Sequence, residues 1–227
     1  ALPADADTGR WTELAGEGLQ IVARGREAGA RVEALEIAIP PPRWRRETFD
    51  APLGQLGALL ERENLRDLPA YAELSDAGAM SAAKRARLGV KLRCGGLEAS
   101  AFPSVDAVAA FIDAATEHGL PFKATAGLHH PVRHLDAATG FTMHGFLNLL
   151  AAAVFASRTD ETVLRAIVAE EDPGAFTFED DSFAWRGLCC NIDELRAVRR
   201  SSFVGYGSCS FDEPVDDLTA LGILPTA

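Results

Sequence analysis

Short runs with a period of two alternate along the chain with longer segments of helical period. In residues 90–94, Val90, Leu92 and Cys94 share one face of a strand while Lys91 and Arg93 share the other. Residues 122–126 repeat the pattern, with Phe122, Ala124 and Ala126 opposing Lys123 and Thr125, and both runs close on glycine, at Gly95-Gly96 and at Gly127. The same parity sets Glu36 between Leu35 and Ile37, and Glu73 between Ala72 and Leu74. Charge therefore lines one side of four neighbouring strands, and such groups are costly to desolvate without partners or a ligand.

Between these runs the pattern predicts helices. One covers residues 11–28 and stops at Gly29, before a strand over 32–39. Pro40-Pro41-Pro42 breaks the chain into a loop carrying Arg43, Trp44, Arg45 and Arg46, and helix resumes near Glu47, with Leu53, Leu56, Leu59 and Leu60 at helical spacing. A short strand over 69–75 leads to Asp76 as a cap, to an alanine-rich helix with Lys84, Arg85 and Arg87 near its end, and to a stop at Gly89. Ser104 caps a helix over 105–117, closed by Gly119. The second half is less regular. It holds a histidine-bearing loop over 127–142, an apolar helix over 143–157, a helix over 160–170, a hairpin from 176–178 and 183–185, a helix over 192–200 and a last strand over 203–210.

Strand and helix alternate with short connections, the signature of a parallel sheet with crossover helices. The expected class is α/β, a (β/α)8-barrel-like parallel sheet that is incomplete or irregular in its second half, with an open doubly wound sheet as the alternative. Five parallel strands are legible, and upstream sequence absent from the chain would supply others. Residues 1–227 read as a single α/β domain.

With 227 residues and 48% hydrophobic content, the chain has enough material for a sizeable core. A net charge of −11 argues against nucleic acid as a partner, because phosphate backbones need a positive surface. No apolar stretch reaches the roughly 20 residues of a membrane span, so no membrane partner is expected. Cys94, Cys189, Cys190 and Cys209 form no C-x-x-C pair and no disulfide framework, which points to a reducing, cytoplasmic setting. The acidic runs 170–172 and 179–181 read as solvated surface, and Cys189-Cys190 as small buried hydrophobes. No G-x-G-x-x-G stands between a strand and a helix and there is no P-loop, so no cofactor is assigned.

Ligands of parallel α/β proteins bind at the carboxyl ends of the strands. That rule selects Lys91, Arg93, Gly95 and Gly96 after one strand, Thr125 and Arg133 around the next, and Ser208 and Ser210 after the last as substrate-binding residues for a small anionic metabolite. Lys123, His129, His130 and Glu73 are the catalytic candidates: an amine, two acid/base imidazoles and an orienting carboxylate. Four of the five histidines, His129, His130, His134 and His144, crowd the same stretch, while His118 near a helix end reads as solvated. No metal is assigned to them, since Pro131 interrupts any regular helix that would align His130 with His134. Asn148, in a nearly all-apolar helix, is expected to be buried, hydrogen-bonded and supporting the histidine loop.

Phe122-Lys123-Ala124-Thr125-Ala126-Gly127 resembles the lysine strand of class I aldolases of the deoxyribose-phosphate type, in which Lys-Thr-Ser-Thr-Gly carries the Schiff base. Lys123 and Gly127 fall in register with that pattern. Ala124 and Ala126 stand where it has Thr, and Thr125 where it has Ser. The resemblance implies a (β/α)8 barrel and a lyase in which Lys123 is the nucleophile. Two other classes stay open on the residues alone: a non-catalytic anion-binding or assembly domain with an internal charge network, and a metal-dependent hydrolase using His129, His130 and His134. Homo-oligomerisation is left open by the sequence.

Overall fold

The computed structural model describes residues 8–40, 49–137 and 139–225. The arginine-rich loop 43–46 and the start of the helix near Glu47 lie outside the described residues. The chain divides into two compact units, Ala1–Lys91 and Leu92–Ala227.

The first unit runs α1 (Thr8–Glu27), β1 (Leu35–Ala38), α2 (Asp50–Arg62), β2 (Ala70–Glu73) and α3 (Met80–Arg85) into β3 (Gly89–Arg93), the strand on which the division falls. β1, β2 and the start of β3 pair in parallel, Glu36 beside Tyr71, Ala38 beside Glu73, and Glu73 beside Lys91. Helices make these crossovers because parallel neighbours cannot be joined by a tight turn. The leucine stripe of α2 is almost wholly inaccessible, with Leu53 and Leu56 at 0% exposure, and Trp11, Ala15 and Leu19 of α1 are buried with it. The indole of Trp11 also donates to the Ala38 carbonyl at 2.9 Å, tying α1 to the end of β1.

The second unit begins in the last residues of β3 and continues through α4 (Val105–Glu117), β4 (Phe122–Thr125), the two-residue strands β5 (His134–Leu135) and β6 (Thr142–Met143), and α5 (Phe146–Phe155). It closes with α6 (Glu161–Ala169), β7 (Phe176–Phe178), β8 (Ser182–Trp185), β9 (Leu188–Asn191), α7 (Ile192–Ser201), β10 (Phe203–Gly207) and α8 (Asp212–Ala220). The amide of Cys94 donates to the Thr125 carbonyl at 2.7 Å, and β10 pairs in parallel with the other edge of β4. Phe122 and Phe203 stack at 5.1 Å, with Phe111 of α4 edge-on to Phe122 at 6.1 Å. α5 is buried on nearly every side, α6 packs against both α4 and α5, and β7, β8 and β9 form an antiparallel meander.

The chain is thus mixed α/β with five parallel strands, and among the described residues these are three short of the eight that close a barrel. The barrel expectation is corrected to open parallel ladders. The missing repeats are replaced by β5–β6 and by the meander, neither of which is a strand–helix unit.

Four local expectations also change. The apolar helix starts at Phe146 rather than at 143, because Thr142 and Met143 pair with His134 and Leu135 and the extended Gly145 caps the helix. Cys189 and Cys190 sit in a third meander strand, where alternation exposes Cys189 and buries Cys190. Glu170 is not solvated: its carboxylate accepts from the Trp185 indole at 3.1 Å and from Arg186 Nε at 2.7 Å. Finally, the last strand ends at Gly207 rather than at 210, and the segment after it folds into α8.

Candidate functional site

Each unit gathers its own polar side chains. In the first, Lys91 Nζ lies 2.8 Å from Glu36 Oε2 and 3.0 Å from Glu73 Oε2, so both carboxylates of the charged strand faces converge on one ammonium. Burial pulls the Lys91 pKa down, but hydrogen bonds and charge from Glu36 and Glu73 outweigh it and hold the group above its ordinary value. Tyr71 shares this face, and burial, then the charge of Glu36, pushes its phenol up. Lys91 is a closed ion-pair centre, with Glu73 as one of its two partners.

The second unit gathers the rest. On β4, Phe122 and Ala124 are buried while Lys123 and Thr125 are half-buried on the opposite face. β10 sets glycines directly beside them, Gly205 opposite Lys123 and Gly207 opposite Thr125, whereas Tyr206 opposes Ala124 and stacks on Phe146 of α5 at 4.7 Å. A β-carbon at Gly205 would sit 3.6 Å from Lys123 Cε, and one at Gly207 3.3 Å from Thr125 Cγ2. The two glycines therefore put no side chain against the lysine stem and the threonine. The Thr125 hydroxyl oxygen is buried without a hydrogen-bond partner among the described residues, a costly state for a polar group.

Beyond β4 the backbone turns sharply. Ala126 and Gly127 both have positive φ, 64° and 71°, and Gly127 packs so close to the β3 loop that a β-carbon there would lie 3.2 Å from the Cys94 carbonyl. Gly95 meets it from the other side, its own β-carbon position 3.0 Å from Gly127 Cα. Arg93 is exposed and donates to the Gly95 carbonyl at 3.0 Å, and Gly96 packs on Ala101.

This turn delivers His129 and His130. His129 Nδ1 is 2.9 Å from Glu213 Oε2 and 3.4 Å from Ser208 Oγ, and His130 Nδ1 is 2.5 Å from Asp217 Oδ2. His134 Nδ1 donates to the Val132 carbonyl at 3.1 Å, and its ring meets that of His130 edge-on at 4.4 Å. A carboxylate or carbonyl on Nδ1 fixes the tautomer and leaves the Nε2 lone pair for chemistry. Ser208 and Glu213 reach the same nitrogen of His129, so the three do not form the relay of a serine hydrolase, in which the hydroxyl and the acid take opposite nitrogens. Ser210 Oγ accepts from the Glu213 amide at 3.1 Å and so starts α8.

Arg133 is turned away, its guanidinium paired with Glu171 and its amide donating to Asn148 Oδ1 at 2.9 Å. Asn148 is fully buried and donates in turn to the carbonyls of Ile167 and Glu170, each at 2.9 Å, fastening the histidine loop to the end of α6. His144 is buried with Nε2 2.8 Å from the Pro103 carbonyl, and burial, with the nearby charge of Arg133, holds its pKa below the ordinary value. His118 Nδ1 lies 2.9 Å from the Ala114 carbonyl at the end of α4. Among the described residues, no group of three or more His, Cys, Asp or Glu side chains is arranged to hold a metal ion.

The arrangement brings Lys123, Thr125, His129, His130, Ser208 and Ser210 onto β4, β10 and the segments that follow them, and separates Arg133 from them by its pairing. Glu213 and Asp217 complete the cluster and were not among the sequence candidates. Their one signal is acidic spacing, two carboxylates at i and i+4 in a short helix.

Fold and site define a mixed α/β protein with a polar cluster at strand ends. No family model, curated protein or solved structure matches the chain, and the likeness to class I aldolases stays confined to residues 122–127. No helix among the described residues is long and apolar enough to cross a membrane.

Proposed function

We propose that the protein is a cytoplasmic, lyase-like enzyme acting on a small anionic carbonyl metabolite. The observation that carries this reading is β4 itself, where a lysine and an unpartnered threonine hydroxyl lie beside two glycines of β10 and two carboxylate-oriented histidines follow at the strand end. Lys123 supplies the amine that adds to the substrate carbonyl carbon. As the amine adds, His129 or His130 takes its proton at Nε2 and passes it to the carbonyl oxygen, which with a second proton from solvent leaves as water, giving an iminium into which the electrons of a neighbouring carbon–carbon bond can flow. Arg93 and the glycine amides after β3 are suited to the anionic group of the substrate. Four free cysteines fit the cytoplasmic assignment.

Borohydride trapping with a panel of small keto acids and sugar-phosphate aldehydes, followed by peptide mapping, tests the reading. A stable adduct on Lys123, lost in Lys123→Met, is the expected result. Absence of an adduct with ligands shown to bind would remove it. A second reading, a non-catalytic domain stiffened by an internal charge network, is favoured by Lys91 alone, which both Glu36 and Glu73 neutralise. Under that reading no carbonyl compound is trapped on any lysine.

A further inference from the structure

α8 is built inside out. Glu213 and Asp217, four residues apart, lie on one helix face and point at the adjacent His129 and His130. Phe211, Val215 and Leu221 lie outward instead, 86%, 40% and 39% exposed. Of the nine residues in α8 only Pro214 is buried, whereas α6, of the same length, buries Leu164, Ile167 and Val168. Most protein helices are held by an apolar face against the core. α8 has instead two carboxylate–imidazole contacts and the Ser210 turn, with Leu218 only half-buried and Val215 exposed. Its remaining carboxylates, Asp212 and Asp216, are exposed and add no attachment.

We infer that α8 is a lid over the strand-end histidines, latched by the Glu213–His129 and Asp217–His130 pairs and released as a unit when they part. Surface pairs of this kind contribute little each, so the open state lies close in free energy to the closed one. Opening takes the carboxylates off Nδ1 of both rings, so the same helix fixes the histidine tautomers when closed and releases them when open. The regulatory meaning rests on the proposed role of His129 and His130, but the latch itself does not.

Amide hydrogen exchange on the full chain, resolved to α8 and to α5, tests the latch. Exchange in α8 is expected to be at least about a hundred times faster than in α5, and Glu213→Gln with Asp217→Asn to speed it a further ~10-fold while α5 is unchanged. Val215→Thr, on the outward face, should leave both rates as they are. Slow exchange in α8 matching α5, or no response to the double substitution, overturns the inference. A response to Val215→Thr as large as that to the carboxylate changes would show that apolar contacts hold the helix, and would overturn it too. None of these outcomes depends on whether borohydride traps an adduct.

Discussion

Lys91 shows how one side chain can settle the charge of a sheet face. Its ammonium sits between two carboxylates and is mostly buried, so removing it leaves Glu36 and Glu73 facing each other with their repulsion uncompensated. Lys91→Met should destabilise the protein by about 2–3 kcal/mol, less than for a fully buried pair because both carboxylates keep some contact with water. Urea unfolding would show this as a lower midpoint at unchanged slope. Replacing Lys91, Glu36 and Glu73 together by apolar residues should recover most of the loss. At this scale the sequence was informative about which residues carry charge and silent about whom they meet. Strand parity put Glu36, Glu73 and Lys91 on charged faces, but register, which makes Glu73 the neighbour of Lys91, is a long-range property. Glu170 was misjudged for the same reason, since its partners Trp185 and Arg186 belong to a hairpin that forms after it in the chain.

Elements with a strong apolar period were legible: α2, α4 and the five parallel strands lie where alternation and caps placed them, with Ser104 accepting from the Ala107 amide at 3.1 Å. Two were not. β9 reads Leu-Cys-Cys-Asn and lacks β-branched residues, so only its pairing with β8 defines it. α8 is acidic, contains Pro214, and buries almost nothing, so neither period nor propensity announced it. The meander offers a pH test at this scale. Burial would raise the Glu170 carboxyl, but hydrogen bonds from Arg186 and the Asp172 amide, and the Arg186 charge, hold it below the ordinary value. A depressed folded pKa gives stability that is present above the ordinary carboxylate range and lost as pH falls through the folded value. Trp185 fluorescence should therefore change below about pH 4, and Glu170→Gln should abolish that step.

For the whole molecule, the four thiols divide by exposure, Cys189 and Cys209 open to solvent, Cys94 and Cys190 buried. Burial pushes the Cys94 thiol up to about 12, so at neutral pH it is both shielded and protonated. An alkylating reagent at pH 8 should modify two thiols quickly and the other two only as the structure opens, with the slow rate rising steeply in urea. Rapid alkylation of Cys94 would contradict the packing of the β3–β4 junction. The α/β class and the parallel pairing were readable because alternating strands and helices allow few other solutions. Closure into a barrel was not, since it depends on strand number, and the second half spends its residues on a meander and a histidine loop instead.

Gly205 and Gly207 invite an evolutionary reading. They put no side chain against Lys123 and Thr125, so each added atom, from alanine through serine to valine, would crowd those two residues in a graded way and leave the opposite face with Tyr206 untouched. Two codons thus act as a packing gauge: a lineage or a laboratory selection can change the bulk beside Lys123 and Thr125 through them without altering either residue.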